Sequence, residues 1–353
     1  MAQALPSTDL DLVLTLTPDF WHRHQGARLF LTGGTGFIGQ WLIQTIQRAN
    51  DRLGSQIEVI TLSRDPQRAL ANQPQVFGRQ DIQLLHGDMT SFSPPDGPLD
   101  LCIHAATDVA DPGRTGGALR TFDAIVNGTR RVLDLAHAKG VKRFLLTSSG
   151  AVYGPQPPEL THIPESYTGA PDPLQLAAAY GNAKRAAEWL TCAYAAQAGN
   201  GSGMETTIAR IFALIGPGIA LDGPFAAGNF VRDILAQKPI VIEGDGCPVR
   251  SYLYMADLCV WLLRLLESGQ SGQAYNVGSE QPLSIRELAE ELVCVSPYRC
   301  PIDVRQPTDS TALPPRYVPD TRKARQSLQL QEVTPLQVAL QKTLQWSRSA
   351  RTP

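Results

Sequence analysis

The sequence of 353 residues lacks the features that mark several specialised protein classes. Lys and Arg number 31 against 33 Asp and Glu, so there is no excess of basic residues to neutralise the phosphates of a nucleic acid. The six cysteines form no CxxC pair, which argues against a zinc site or a disulfide framework. No apolar run is long enough to span a membrane, and the N-terminus, MAQALPSTDLDLVL, is acidic where a secretory signal would be basic. We expect a cytoplasmic protein that binds neither nucleic acid, nor a membrane, nor a metal.

The sequence does contain a regular alternation of apolar segments and amphipathic helices from residue 28 onward. This alternation indicates a parallel sheet with helices on both faces. We therefore predict an α/β fold built on a Rossmann-type doubly wound parallel sheet. The predicted strands lie at residues 29–31, 58–62, 82–85, 100–106, 143–147 and 206–212, and the predicted helices at 40–48, at 127–139 and from about residue 177.

Composition divides the chain into three parts. Residues 1–26 are predicted to be an N-terminal extension with a short helix near Trp21, and residues 27–215 the doubly wound domain. Gly and Pro become frequent in IGPGIALDGPFAAGNF, which marks a change of architecture. Residues 216–353 are predicted to form a smaller mixed α/β domain, mainly for substrate binding, with a segment near 250–262 that packs back on the first domain.

A glycine-rich turn follows the first predicted strand, in the segment LFLTGGTGFIGQWL. A turn this tight needs residues without a Cβ, and it lets a pyrophosphate reach the free N–H groups at the start of the following helix. The pattern therefore predicts a dinucleotide-binding site. Its residues are Gly33, Thr35, Gly36, Phe37, Ile38 and Gly39.

The residues after the second strand bear on which dinucleotide is bound. An acid at this point would pair with a free ribose 2'-hydroxyl, but the segment VITLSRD has Ser63 and Arg64 there. A guanidinium can pair with a 2'-phosphate, so NADP is favoured over NAD. NAD remains an alternative because of Asp65. Arg64 itself could be a solvated loop residue that does not bind the cofactor.

Two further loops are assigned to the cofactor. In HGDMT, after the third strand, Asp88 can accept a hydrogen bond from the adenine amino group and Met89 can pack against the ring. In HAATD, after the fourth strand, Ala105 and Ala106 are small enough for the backbone to approach the cofactor closely. Both loops therefore belong to the predicted site.

Tyr180 and Lys184, in AAYGNAKRAAEWL, lie four residues apart and so share one face of a predicted helix. A lysine ammonium beside a phenol stabilises the phenolate and lowers its pKa, which makes tyrosine a usable general base near neutral pH. Alternatively, Tyr180 and Lys184 are part of an ordinary helix surface and have no catalytic role. The motifs around the pair favour catalysis.

Taken together, these motifs resemble the extended short-chain dehydrogenase/reductase family, and within it the nucleotide-sugar epimerase/dehydratase branch. The resemblance extends from about residue 28 to residue 346, and the ordered set of motifs is specific to the family. The segments that carry it are the glycine turn, Asp88, HAA at 104–106, NGT at 127–129, SSGAVYG, Tyr180 with Lys184, ARIFALIGPG, GDGCPVRSYLYMADL, YNVGS and RYVPDTRKA.

The resemblance implies a role for each motif residue. Tyr180 would be the acid or base at a sugar hydroxyl, Ser149 would hydrogen-bond the same oxygen, and Lys184 would hold the nicotinamide ribose. Hydride would pass between the sugar carbon, usually C4, and the nicotinamide. Asn127 would support Lys184 through a water molecule. The positions implied at the substrate are Thr107, Ser149, Gly150, Ala213 (an asparagine in many relatives), Arg250 as the diphosphate clamp, and Arg305 or Arg316 as a second clamp.

The segment TSSGAVYG narrows the reaction. Members of the branch that eliminate water carry an acidic residue directly after the Ser or Thr, and members that epimerise C3 and C5 carry a cysteine nearby. This chain has Gly150 and Ala151 at these positions, and neither can remove a proton from C5. The alternative is that another side chain, such as Asp108, reaches the substrate and restores an acid or base.

The resemblance and these residues lead to a 4-epimerase that oxidises C4 of a nucleotide-diphosphate sugar, lets the keto sugar turn and reduces it from the other face. The first alternative is an NADPH-dependent 4-keto sugar reductase, which Ser63 and Arg64 favour. Further alternatives are a 4,6-dehydratase and a cofactor-binding regulatory protein without turnover. The resemblance also implies a homodimer formed through helices at 127–139 and 180–195.

Overall fold

The computed structural model of the protein describes residues 3–107, 117–197, 203–307 and 313–350. The helices of this part of the chain are α1 Ser7–Leu16, α2 Pro18–Arg23, α3 Phe37–Leu53, α4 Pro66–Asn72, α5 Pro74–Phe77, α6 Gly117–Ala138, α7 Ala179–Gln197, α8 Ala226–Leu235, α9 Met255–Ser268, α10 Ile285–Val295, α11 Arg322–Leu328 and α12 Leu336–Ser349. Short 3₁₀ turns are formed by Gly150–Tyr153 and Leu176–Ala178. The strands are β1 Arg28–Thr32, β2 Glu58–Ser63, β3 Ile82–His86, β4 Leu101–His104, β5 Arg143–Ser149, β6 Glu205–Ile211, β7 Leu214–Ile215, β8 Ile240–Ile242, β9 Val249–Arg250, β10 Leu253–Tyr254, β11 Gln273–Val277, β12 Leu283–Ser284, β13 Ile302–Val304 and β14 Arg316–Tyr317.

Within the described residues, seven strands form one parallel sheet in the order β11-β6-β5-β4-β1-β2-β3. The central strands β1, β4 and β5 are almost completely buried, which is why their sequences are apolar on both faces rather than alternating. The predicted doubly wound fold is confirmed. The strand order reverses between β1 and β4, so a crevice opens where the carboxyl ends of these two strands diverge.

The C-terminal part of the chain adds short strand pairs, and it also completes the main sheet. β8 pairs with β13, β7 with β10, and β9 lies between β12 and β14. β11 forms the edge of the main sheet beside β6, and the almost wholly buried helix α9 packs on β5 and β6. The assignment of residues 216–353 mainly to substrate binding stays a prediction.

The N-terminal extension contains two helices, α1 and α2, where the sequence predicts one short helix. α1 packs on α3 and α9, and its Asp9 carboxylate is fully buried. Tyr254 donates a hydrogen bond to Asp9 at 2.6 Å, and the Lys342 ammonium on α12 pairs with the same carboxylate. The extension therefore joins α3, α9 and β10 to the last helix of the chain.

Helix boundaries differ from the sequence predictions in two places. α6 begins at Gly117, ten residues before the predicted start, because the amphipathic pattern continues through Thr121 and Ile125, which are buried. α3 runs on to Leu53, where Gly54 ends it in the left-handed conformation with φ of 66°. Among the described helices, none is both long and apolar enough to cross a membrane, and the cytoplasmic location stays a prediction.

Candidate active site at the carboxyl edge of the sheet

The glycine turn after β1 lies directly against the loop that follows β4. Gly33 has a φ of +76°, and a Cβ on it would lie 2.8 Å from the backbone nitrogen of Ala106. A Cβ on Gly39 would lie 2.2 Å from the carbonyl oxygen of Gly33, so this glycine lets α3 pack against the turn. Both positions therefore need glycine for the close approach of the backbone.

The start of α3 presents backbone N–H groups to the crevice. Gly36 is the N-cap, so no side chain competes for these groups. Thr35 and Gly36 are exposed, whereas Phe37 and Ile38 are half-buried. A helix N-terminus of this kind favours an anion such as a pyrophosphate.

A buried histidine, which the sequence reasoning missed, holds the loop after β4. His104 Nδ1 lies 2.7 Å from Thr32 Oγ1, and His104 Nε2 lies 3.1 Å from Thr129 Oγ1 on α6. Thr32 Oγ1 also accepts a hydrogen bond from the Ala106 N–H at 3.0 Å. Burial, reinforced by Lys184, lowers the pKa of His104 to about 3, so its imidazole is neutral. The histidine of the HAA motif could have indicated this contact from the sequence, but the prediction considered only the two alanines.

The residues predicted to contact the adenosine end lie at the ends of β2 and β3. Ser63 Oγ accepts a hydrogen bond from the Asp65 N–H at 3.2 Å. The Asp65 carboxylate caps α4 by accepting from the Arg68 N–H at 2.9 Å, so it is already engaged. Hydrogen bonds from Thr90, and the charge of Arg64, hold the pKa of Asp88 below its ordinary value. Arg64 therefore lies near Asp88.

Met89 and Ala105 border the same crevice. Met89 is buried against α6, where a Cβ on Gly128 would lie 3.1 Å from the Met89 Cβ. Ala105 is half-buried and packs at the edge of the main core. The structure thus brings the predicted cofactor residues together along one edge of the sheet.

Ser149 and Tyr180 meet where β5 ends and α7 begins. Ser149 Oγ accepts a hydrogen bond from the Ala151 N–H at 3.2 Å, and Ser149 also hydrogen-bonds the Tyr180 hydroxyl. A Cβ on Gly181 would lie 2.7 Å from the carbonyl oxygen of Ala151. The glycine after Tyr180 therefore lets the start of α7 approach the turn that carries Ser149.

Lys184 is buried one helical turn further along α7. Its Nζ donates hydrogen bonds to Thr107 Oγ1 at 3.0 Å and to the Thr147 carbonyl oxygen at 2.8 Å. Burial lowers the pKa of Lys184 to about 8, and the charge of Glu188 opposes the shift. Asn127 lies exposed on α6, and its support of Lys184 through water stays a prediction.

The expectation that Lys184 lowers the pKa of Tyr180 is wrong for this structure. The Lys184 Nζ lies 6.0 Å from the centroid of the Tyr180 ring. Burial raises the pKa of Tyr180 above its ordinary value, and the hydrogen bond from Ser149 offsets this only in part. Desolvation dominates because burial disfavours the charged form of the phenol.

The predicted substrate residues lie on both sides of the crevice. The Ala213 carbonyl accepts from the Leu253 N–H at 3.0 Å and so ties β10 to the end of β6. In the pairing of β14 with β9, Tyr317 is opposite Arg250 and Arg316 is opposite Val249. Tyr317, not Arg316, therefore shares a face with Arg250.

Gly150 is enclosed by aromatic rings. A Cβ on it would lie 2.6 Å from the Phe212 ring and 2.7 Å from the Tyr317 hydroxyl. Sequence reasoning missed Tyr317, although RYVPDTRKA was among the segments it used.

Arg305, the other predicted second clamp, is exposed and pairs with Asp303 at 3.2 Å. Asp108, the alternative acid or base, lies outside the described residues.

An ion pair between Arg210 and Glu188 lies next to the predicted catalytic residues on α7. Arg210 on β6 makes a forked contact with Glu188, with Nη2 to Oε2 at 2.7 Å and Nε to Oε1 at 3.0 Å. Ser148 donates to the same carboxylate at 2.6 Å. Glu188 is on α7, four residues after Lys184, so the pair fixes the helix that carries Tyr180 and Lys184.

We predict that Glu188→Gln lowers the free energy of unfolding by about 3 kcal/mol, because it leaves the buried Arg210 without its counter-charge. Loss of this carboxylate also removes the charge that supports Lys184, so the pKa of Lys184 falls further below its ordinary value. Urea unfolding measures the first effect. The control is Glu290→Gln in the exposed Arg286 pair, for which we expect a change below about 0.5 kcal/mol. Equal effects of the two substitutions would contradict the assignment.

Curated proteins and solved structures resemble this chain over most of its length. UDP-glucuronic acid decarboxylase 2 of Arabidopsis thaliana is 30% identical over 308 residues, which are 87% of this chain, and the chain spans 65% of the length of that relative. UDP-glucuronic acid decarboxylase 5 of the same plant is 30% identical over 304 residues, with 85% of this chain and 83% of the relative covered.

Two solved structures share the fold. A UDP-glucose 4-epimerase from Thermotoga maritima, solved with UDP-glucose, superposes with a TM-score of 0.74 at 20% identity and covers 91% of this chain and 99% of its own. A dTDP-glucose 4,6-dehydratase from Bacillus anthracis, solved with NAD, gives a TM-score of 0.72 at 17% identity, with 92% and 97% covered. The family model described as the NAD dependent epimerase/dehydratase family matches residues 29–278. The chain belongs to the NAD dependent epimerase/dehydratase family.

Proposed function

We propose that this chain is an NAD(P)-dependent enzyme that oxidises the C4 hydroxyl of a nucleotide-diphosphate sugar and returns the hydride to the same carbon, as a 4-epimerase. The observation that carries the proposal is Gly150. It lies beside the assembled Ser149, Tyr180 and Lys184, and it has no side chain to remove a C5 proton. Such a site supports oxidation and reduction at C4 without elimination.

The residues along the crevice fit a dinucleotide. The glycine turn and the start of α3 offer N–H groups to a pyrophosphate, and Arg64 and Asp88 lie near each other at the adenosine end. Lys184 would hold the nicotinamide ribose. A dinucleotide held by these residues would supply the acceptor and the donor of the hydride at C4. We propose NADP rather than NAD, since Asp65 is used to cap α4 and Arg64 is exposed.

The chain's own residues handle the proton and the orientation of the sugar. Tyr180 transfers the proton at the C4 oxygen, and Ser149 hydrogen-bonds the Tyr180 hydroxyl. The pKa of Lys184, about 8, means that it keeps its positive charge at neutral pH and loses it in mildly alkaline solution. Arg250 would bind the diphosphate through its planar guanidinium.

A second candidate is decarboxylation of UDP-glucuronic acid, favoured by the curated relatives named above. Oxidation of C4 in that sugar gives a β-keto acid, which loses carbon dioxide and must then take up a proton at C5. The first half of this reaction uses the same residues as epimerisation. The proton at C5 would have to come from a group other than residue 150.

The direct test incubates the protein with UDP-glucose, dTDP-glucose and UDP-glucuronic acid, each with NAD or NADP, and follows the sugars by NMR. Epimerisation gives a product of unchanged mass with inverted C4. Loss of carbon dioxide from UDP-glucuronic acid supports the second candidate, and loss of water from C5 and C6 would contradict the role given to Gly150. Stoichiometric consumption of NADPH with a 4-keto sugar would identify a reductase.

We predict that Tyr180→Phe lowers kcat by at least about a hundredfold, because it removes the group that transfers the proton at the C4 oxygen. Cofactor affinity should stay within about twofold, since the ring remains and only a hydroxyl is lost. Turnover and fluorescence titration measure the two effects. Tyr298→Phe, which lines a pocket with residues of α8 and α12, is the control and should keep wild-type turnover. Near-normal activity of Tyr180→Phe would remove Tyr180 from the mechanism.

We predict that Arg64→Ala weakens the binding of NADP by about tenfold to a hundredfold and that of NAD by less than about threefold, because only NADP has a 2'-phosphate for the guanidinium. Calorimetric titration of both dinucleotides measures the difference. The control is Arg68→Ala, an exposed arginine one helical turn further along. Equal weakening for both dinucleotides would show that Arg64 does not select between them.

We also propose a homodimer formed by the outer faces of α6 and α7. These two helices pack together and expose large apolar side chains, with Leu119 71% and Trp189 68% accessible. Trp189→Asp should convert the dimer to a monomer in analytical ultracentrifugation, because a carboxylate cannot be buried there without a partner. Leu53→Asp, at the end of α3 and also exposed, is the matched control. A wild-type monomer at micromolar concentration would contradict the proposal.

A further inference from the structure

Tyr317 reaches the end of β5 from the C-terminal part of the chain. It lies on β14, which pairs with β9, and the Arg250 guanidinium lies 5.8 Å from the centroid of the Tyr317 ring. On the other side, the Tyr317 ring packs on Phe212 with the ring centroids 4.5 Å apart. The ring is thus held between the end of β6 and the short sheet around β9.

The Tyr317 hydroxyl completes a chain of hydroxyl groups. Its Oη lies 3.3 Å from Ser149 Oγ, and the same hydroxyl lies 3.5 Å from the Ile211 carbonyl oxygen, to which it can donate. Ser149 in turn hydrogen-bonds Tyr180. Three hydroxyls therefore run in sequence from Tyr180 through Ser149 to Tyr317, with the last anchored to the backbone.

The Tyr317 hydroxyl also occupies the space that a side chain at residue 150 would need. A Cβ there would lie 2.7 Å from the Tyr317 hydroxyl and 2.6 Å from the Phe212 ring, far closer than carbon atoms can approach. Neither contact is with the end of a flexible side chain. Residue 150 must therefore be glycine while Tyr317 and Phe212 occupy these positions.

The charge state of Tyr317 suits an anchor rather than a base. Burial raises the pKa of Tyr317 well above its ordinary value, and Ser149 and Arg250 oppose the shift only in part. The phenol is neutral at any pH at which the enzyme works. It can donate its proton to Ser149 or to the Ile211 carbonyl oxygen, but it cannot remove a proton from carbon.

We propose that Tyr317 is a positioning residue for the catalytic pair: its hydroxyl orients Ser149 toward Tyr180 from the position that a side chain at residue 150 would occupy. The inference deepens the proposed function and rests on it for the roles of Ser149 and Tyr180. Because Tyr317 acts through Ser149, its removal changes the titration of Tyr180 without touching the substrate. Ser149 stabilises the ionised form of Tyr180, so a loosely held Ser149 leaves Tyr180 harder to ionise.

The first test needs no substrate. Full-length protein is labelled with fluorotyrosine, whose phenol ionises at lower pH than that of tyrosine, and the Tyr180 signal is identified by its loss in Tyr180→Phe. We expect Tyr317→Phe to move the titration midpoint of Tyr180 upward by about 0.5 to 1 on the pH scale, as the loss of one neutral hydrogen bond implies. The control is Tyr167→Phe, which lies in the same aromatic cluster but against Gly169 and Tyr153. An unchanged midpoint in Tyr317→Phe overturns the inference.

The second test uses turnover of whichever sugar the wild-type enzyme accepts. Tyr317→Phe should lower kcat by about tenfold with KM within about twofold, and shift the rising limb of the pH profile upward. In a Ser149→Ala background the same substitution should have no further effect on kcat, because the Ser149 hydroxyl through which Tyr317 acts is absent. An equal loss in both backgrounds contradicts the inference. If the wild-type protein turns over none of the sugars, the proposed function fails, and the titration still decides the role of Tyr317.

Discussion

The buried ion pair between Arg210 and Glu188 is the interaction on which the site depends. It joins β6 to α7, and through Ser148 and Tyr153 it extends to β5 and to the 3₁₀ turn that follows. Tyr153 donates to Asn276 on β11, and the Asn276 amide donates to the carbonyl oxygens of Ile163 and Asp320. One connected set of buried polar groups therefore fixes the edge of the sheet where Ser149 and Tyr180 meet. Partial loss of such a network is costly because the remaining groups are left without partners.

The pKa values of Lys184 and Tyr180, the two residues proposed for catalysis, are governed mainly by burial. Burial lowers the pKa of Lys184 and raises that of Tyr180, so the surroundings favour the neutral form of each. The charge of Glu188 raises the pKa of Lys184, and the hydrogen bond from Ser149 lowers that of Tyr180, so each opposes the effect of burial. The tyrosine therefore stays protonated at neutral pH in this structure. A residue pattern four apart on a helix does not reveal this balance, since it says nothing of solvent access.

Local features of the site could be predicted from the sequence, and features that depend on distant contacts could not. Gly33 and Gly39 are required by the turn and helix beside them, so their pattern is visible in one short segment. The doubly wound sheet could also be predicted, because each strand and helix is recognisable from the pattern of one short segment. Tyr317 and Ser149 are 168 residues apart, and only the fold brings their hydroxyls together. The neighbouring Arg316 was the more conspicuous residue for binding a diphosphate, but strand alternation places it on the other face.

The packing around Gly150 also constrains how this active site can change over generations. A carboxylate cannot be introduced at residue 150 by one substitution, because the rings of Tyr317 and Phe212 already fill the space. A side chain at residue 150 would require smaller residues at 212 and 317 first, and a smaller residue 317 would remove the hydroxyl that lies 3.3 Å from Ser149. Positions that are far apart in the chain must therefore change nearly together.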